Sequence, residues 1–120
     1  MGVVHHSNFF RFFEEARGHW VNANDLTKDL YGERKISFAV INAEACFLKP
    51  ARHNDHLEVR LQVRRERIRY RFQYAIVRDG EILITGKTVH VPLNEELKPC
   101  KIPTHFNEIV EKSPWTETWP

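Results

Sequence analysis

Residues 8–20 read NFFRFFEEARGHW. Phe9, Phe12, Phe13, Ala16 and Trp20 recur at the three- and four-residue spacing of one helical face, and Phe10 and Val21 widen that stripe. Arg11, Glu14, Glu15 and Arg17 form the polar remainder. Ser7 or Asn8 is a natural N-cap, because its side-chain oxygen can accept an orphan backbone N–H of the first turn. The spacing predicts a helix over residues 8–23, apolar around most of its girth. A helix of that kind is buried on several sides, so either a sheet wraps it or a second subunit covers what the sheet leaves.

Outward from this helix, Asp25 to Tyr31 reads as a short second helix ended by Gly32. The period then becomes strand-like. Residues 36–48 are rich in Ile, Phe, Val and Ala, and Pro50 ends them. In 57–63, Leu57, Val59, Leu61 and Val63 alternate with polar residues, as a half-buried strand requires. Ile68, Tyr70, Phe72, Tyr74 and Ile76 alternate in the same way. Asp79-Gly80 is a two-residue hairpin signal, and residues 81–91 return from it. The apolar phase slips between Ile82/Ile84 and Val89/Val91, which predicts a bulge at Gly86. Pro99 and Pro103 interrupt the tail, 104–112 is read as a last helix, and Trp115 to Pro120 as loose chain. One thick helix followed by consecutive strands with short turns implies an α+β two-layer domain built on an antiparallel sheet.

With 120 residues, a net charge of +2 and ordinary globular composition, the chain is read as one domain spanning 1–120. The charge is too small to argue for nucleic acid. Cys46 and Cys100 show no metal or disulfide framework, which suggests a reduced, cytoplasmic protein with free thiols. Cys46, in an apolar strand, reads as core filling rather than as a nucleophile. No apolar run approaches the ~20 residues of a membrane span, and no secretory leader pattern is present.

The stretch Gly2-Val3-Val4-His5-His6-Ser7-Asn8, with Phe9-Phe10-Arg11-Phe12-Phe13-Glu14-Glu15-Ala16-Arg17 behind it, resembles the opening of the 4-hydroxybenzoyl-CoA thioesterase family of hotdog-fold proteins. Cys46-Phe47-Leu48-Lys49-Pro50-Ala51-Arg52, Asn54-Asp55 and Leu57-Glu58-Val59 match the same family's second and third strands. The resemblance covers most of residues 1–92. It implies a curved antiparallel sheet wrapped around a long central helix, assembly as a homodimer or homotetramer, and active sites at the dimer interface. It also implies hydrolysis of an acyl- or aryl-CoA to free acid and coenzyme A, with no cofactor beyond the coenzyme A of the substrate.

The resemblance further implies that the backbone N–H near His6 polarises the thioester carbonyl, where a helix N-terminus suits an oxyanion. His5, Asn8, Phe9 and Phe12 would line the substrate pocket. Arg64-Arg65-Glu66-Arg67-Ile68-Arg69-Tyr70-Arg71 places five arginines in eight residues. Guanidinium forks suit phosphate, and by resemblance Arg67 and Arg69 meet the nucleotide end of CoA. The alternative is that these arginines are solvated and paired with Glu58 or Glu81. With a single aromatic interleaved, Tyr70, the run does not read as a nucleic-acid surface. Adjacent His5 and His6 point their rings apart and lack ligand spacing, so no metal is expected.

In the family the motif reads Asp-x-Asp-Ala-Met-Gly-Val-Val-His-His after a first strand, and the second aspartate is nucleophile or base. Met1 here falls on the motif's methionine. The expectation is therefore that this chain lacks the first strand and both aspartates. Either a start assigned too late or a non-catalytic acyl-CoA-binding module would account for it. Glu14 is the fallback carboxylate of the helix.

Overall fold

The computed structural model describes residues 7–32, 35–52 and 54–120, apart from the side chains of Ser7 and Asn8. The elements run α1 (Ser7–Ala23), α2 (Thr27–Tyr31), β1 (Ser37–Phe47), β2 (Glu58–Glu66), β3 (Arg69–Arg78), β4 (Glu81–Leu93) and α3 (Thr104–Lys112). The strands form one antiparallel sheet in the order β1-β4-β3-β2. Asp79 and Gly80 both have positive φ, as the tight turn between β3 and β4 requires.

Helix α1 lies along one face of the sheet. Phe13 is fully buried and stacks on Tyr74 with ring centroids 4.4 Å apart. Phe9 meets Phe47 at 5.6 Å, and Trp20 meets Phe72 at 5.7 Å. Helix α3 closes the far end, where Phe106 packs edge-on to Trp20 and Tyr70 and tilted against Phe38. The period-2 reading of β3 holds from Tyr70 to Tyr74, but Ile68 stands exposed before the strand and Ala75, Ile76 and Val77 are buried in succession.

Three expectations are corrected. Gly86 is not a bulge, because Tyr74 and Gly86 pair in register. It is a saddle for Phe13, and a β-carbon there would enter the ring's van der Waals envelope. The sheet instead slips between Ile76 and Val77 on β3, opposite Ile84 and Ile82, and between Val40 and Asn42 on β1. That first slip carries the change of apolar phase, with Leu83 and Ile84 both buried. Cys46 is not core filling, since β1 is an edge strand and the thiol is exposed. Nor is the tail loose. Gln62 exchanges hydrogen bonds with the Thr116 backbone, accepting from its N–H at 3.0 Å and donating to its carbonyl at 3.1 Å. The Arg64 guanidinium lies 4.5 Å over the Trp115 ring, and the Trp119 indole donates to the Tyr74 carbonyl at 3.1 Å.

A polar chain crosses the core. Arg17 donates to the Tyr74 hydroxyl at 2.9 Å, Tyr74 and Thr88 share a 2.6 Å bond, and Thr88 lies 2.8 Å from His90 Nε2. Arginine can only donate, so the economical direction is Arg17 to Tyr74 to Thr88 to His90. That direction makes Nε2 the acceptor and puts the imidazole proton on Nδ1, which has no partner among the described residues. Burial, and secondarily the Arg17 charge, depress the His90 pKa to about 4. Burial also raises that of Tyr74.

Candidate active site at the entrance of the central helix

The α1 N-terminus stands at the end of the sheet where Phe9 packs on Phe47, which pairs with Ile84. Its first turn holds no acidic residue, so none of α1's own carboxylates neutralises the positive end of the helix. The neighbouring loop is fastened to the sheet. Leu48 and Lys49 N–H groups donate to the Leu83 carbonyl at 2.8 and 3.1 Å. The Asp55 carboxylate accepts from the Arg52 N–H at 2.7 Å and from Arg78 at 2.9 Å. These bonds hold its pKa below the usual carboxylate range.

Of the residues singled out in the sequence, His5 and His6 lie outside the described residues. Asn8 sits in the first turn of α1, without a described side chain. Phe9 is buried at the entrance, and Phe12 packs against the core beside it, with ring centroids 5.7 Å apart. Glu14 is exposed. Glu15 is tied to Arg11 at 3.3 Å. Together with Phe12, Ala16, Trp20, Val59 and Leu61, Glu15 borders a cavity of about 420 Å³ along the free edge of β2. Among the described residues no group of three or more His, Cys, Asp or Glu side chains is placed to hold a metal. No described helix is long and apolar enough to cross a membrane.

The arginine run folds into the β2–β3 hairpin, at the other end of α1. A helical rise of ~1.5 Å per residue puts about 16 Å between the levels of Phe9 and Trp20, and Trp20 lies beside Phe72, one hairpin step from Tyr70. Within one chain, therefore, the helix entrance and Arg67/Arg69 are not brought together. Arg64 is bound to Glu66 at 2.9 Å and to Glu117 at 3.1 Å, and Arg71 Nε lies 3.1 Å from Glu66 without hydrogen-bond alignment. Arg60 pairs with Glu58. Arg65, Arg67 and Arg69 have no carboxylate partner among the described residues. The expected partners are corrected: Glu58 goes to Arg60 and Glu81 to Lys49 and Arg78, while Arg64 and Arg71 turn to Glu66 and Glu117, which leaves Arg65, Arg67 and Arg69 available to an anion. Trp115 and Arg65, which share a cleft with Arg67, were not singled out by the sequence. Their only signal was a tryptophan in a segment read as loose and one arginine among five.

A curved antiparallel sheet laid along one long helix defines the hotdog class of α+β domain. The chain belongs to the thioesterase-like superfamily, whose family model matches residues 1–110. Among solved structures it is similar to a 1,4-dihydroxy-2-naphthoyl-CoA thioesterase from Synechocystis, with TM-score 0.82 and 22% identity, covering 92% of this chain and 85% of that one. A hypothetical protein from Aquifex aeolicus gives TM-score 0.79 at 28% identity, covering 91% and 86%. A gentisyl-coenzyme A thioesterase gives 0.77 at 24% identity, covering 88% and 86%.

Proposed function

We propose that this chain hydrolyses a coenzyme A thioester to a free acid and coenzyme A, with an aromatic acyl group as the favoured substrate and no further cofactor. The observation that carries this is the entrance of α1, whose first turn bears no carboxylate and is walled by Phe9 and Phe47. Backbone N–H groups there would bind the developing oxyanion, with the N–H near His6 foremost. His5, Asn8, Phe9 and Phe12 would hold the acyl group. The similar naphthoyl-CoA and gentisyl-CoA thioesterases support the aromatic preference. Arg67 and Arg69 are proposed to meet the substrate's nucleotide end.

The test is thiol release from benzoyl-, short-chain and long-chain CoA thioesters. Turnover is expected, fastest on the aromatic ester. Glu14, the proposed general base within α1, is tested by Glu14→Gln, with an expected loss of roughly 10²–10⁴ in kcat. An unchanged rate would move the base outside α1. The exposure of Glu14 favours a second reading, an acyl-CoA-holding module. Saturable CoA-ester binding without any thiol release would establish that reading and remove the first.

We also propose that the free edge of β1 pairs with a second copy. Among the described residues that edge has no strand partner, Val40, Ile41 and Leu48 are exposed on or beside it, and such an edge with apolar side chains is a template for association. Sedimentation should show a dimer or a dimer-based tetramer, and Val40→Lys with Ile41→Lys should shift it to monomer. A wild-type monomer at micromolar concentration would refute the pairing.

A further inference from the structure

We propose that the open half of β2's outer edge is a self-pairing surface, on which a second copy of this chain lays its own β2 antiparallel about a two-fold axis at Val59. Among the described residues that edge has no strand partner. Only Arg67 and Ile68 separate Glu66 from its β3 partner Arg69, and a two-residue hairpin closes on a hydrogen-bonded pair. Such pairs recur at every second residue of an antiparallel ladder. Arg64, Gln62, Arg60 and Glu58 therefore direct their backbone groups to β3, and Val63, Leu61 and Val59 point theirs outward. The C-terminal segment meets β2 at Gln62 and Arg64, which leaves the stretch up to Leu61 open. There Val59 and Leu61 form one wall of the cavity of about 420 Å³ whose other wall is Phe12, Ala16, Trp20 and Ala23 of α1, with Glu15 and His19 beside them. An added strand would satisfy the edge and cover that apolar groove at once.

Charge complementarity selects a second copy as the occupant. Val59 and Leu61 face α1, so Glu58 and Arg60 stand on the opposite face of the sheet, both exposed, with Arg60 Nε donating to Glu58 at 3.1 Å. A two-fold axis at Val59 sets Glu58 of each copy opposite the partner's Arg60. The chain's own ion pair then becomes a square of four alternating charges. On the α1 side Val59 meets Val59 and Leu57 meets Leu61, and the grooves of the two copies join across the axis. Other registers fit worse. An axis at Glu58 or at Arg60 sets like charges against each other, and an axis at Gln62 opposes Arg60 to Arg64 and Glu58 to Glu66. An axis at Leu61 or Val63 draws on Arg64 and Gln62, which Glu66, Glu117 and Thr116 already hold. This contact lies on the sheet edge opposite β1. It joins β1-paired copies two by two, and its short overlap makes it the weaker of the two.

The experiment isolates this edge in the full chain carrying Val40→Lys and Ile41→Lys, which blocks pairing through β1. Sedimentation from micromolar to millimolar concentration should show that chain passing from monomer to dimer. Glu58→Arg or Arg60→Glu, added singly, should each weaken dimerisation about tenfold or more, because the two-fold axis turns both attractive pairs into repulsive ones. An equimolar mixture of the two variants should recover the dimer, since the two arginines of one copy then face the two glutamates of the other. Both residues are exposed, and circular dichroism verifies the fold of each variant. A β1-blocked chain that stays monomeric at millimolar concentration would overturn the proposal. So would a charge-reversed variant that pairs as well as the β1-blocked chain, or a mixture that associates no better than its components. Thiol release plays no part in the measurement, so its outcome is separate from that of the hydrolase reading.

Discussion

Phe13→Ala is expected to lower the unfolding free energy by about 3–5 kcal/mol, the usual cost of emptying a buried phenylalanine site. The ring is fully buried, stacks on Tyr74 and rests in the saddle left by Gly86. Three elements meet at that one side chain, α1, β3 and β4, and none can close the gap without moving a backbone. The polar chain one helical turn further on, Arg17 to Tyr74, would also lose its support. Urea unfolding followed by fluorescence measures the change as a fall in midpoint. Phe10→Ala is the control, because Phe10 is 40% exposed. Equal losses from the two substitutions would show that Phe13 does not pin the helix to the sheet.

Acid should destabilise the fold well above the ordinary carboxylate range. The imidazole of His90 is 1% exposed, and its pKa is depressed to about 4 in the folded chain, against about 6.5 when unfolded. As pH falls below 6.5 the unfolded chain takes up a proton that the folded chain refuses. Stability from this group is therefore full above pH 6.5, declines as pH falls towards 4 and levels off below that, for a total of about 3 kcal/mol. The groups facing His90 explain the refusal. Thr88 is hydrogen-bonded to it, the Phe38 and Phe72 rings flank it, and the nearby charge is the cation of Arg17. His90→Gln keeps a polar partner for Thr88 and cannot titrate, so its stability should be nearly flat between pH 6.5 and 4.5. A wild-type slope as flat as the variant's would refute the account. Below pH 4 the ion-paired Asp55 and Glu81, both with lowered pKa values, add further losses as they protonate.

Much of the fold is legible without coordinates because its signals are local. The three-and-four spacing from Phe9 to Trp20, the alternation from Tyr70 to Ile76 and the Asp79-Gly80 turn each depend only on neighbours along the chain. Their elements, α1, β3 and the β3–β4 hairpin, appear where expected. What failed was less local. Gly86 looked like a bulge because a glycine and a phase slip coincide in sequence. The helix residue that needs the missing side chain, Phe13, lies 73 positions away. Cys46 looked buried because apolar strands usually are, but strand order left β1 at an edge. The tail looked loose because its partners, Gln62, Arg64 and Tyr74, sit on β2 and β3.

The candidate site divides in the same way. The sequence by itself determined the residue chemistry: an apolar helix with a carboxylate-free entrance, an arginine run on a hairpin, and the motif that resembles one thioesterase family. Those are properties of composition and spacing, set by side-chain type and backbone period. Only the tertiary structure decided which of these groups share a space. It put the arginine turn at the far end of α1 from the entrance, engaged Arg64 and Arg71 with Glu66, and brought Trp115 to face Arg65 and Arg67. It also sank Arg17 onto Tyr74 and left His90 buried among aromatic rings. Ion pairing and desolvation depend on distance and burial, and strand order and helix packing set both across sequence separations that no local pattern records.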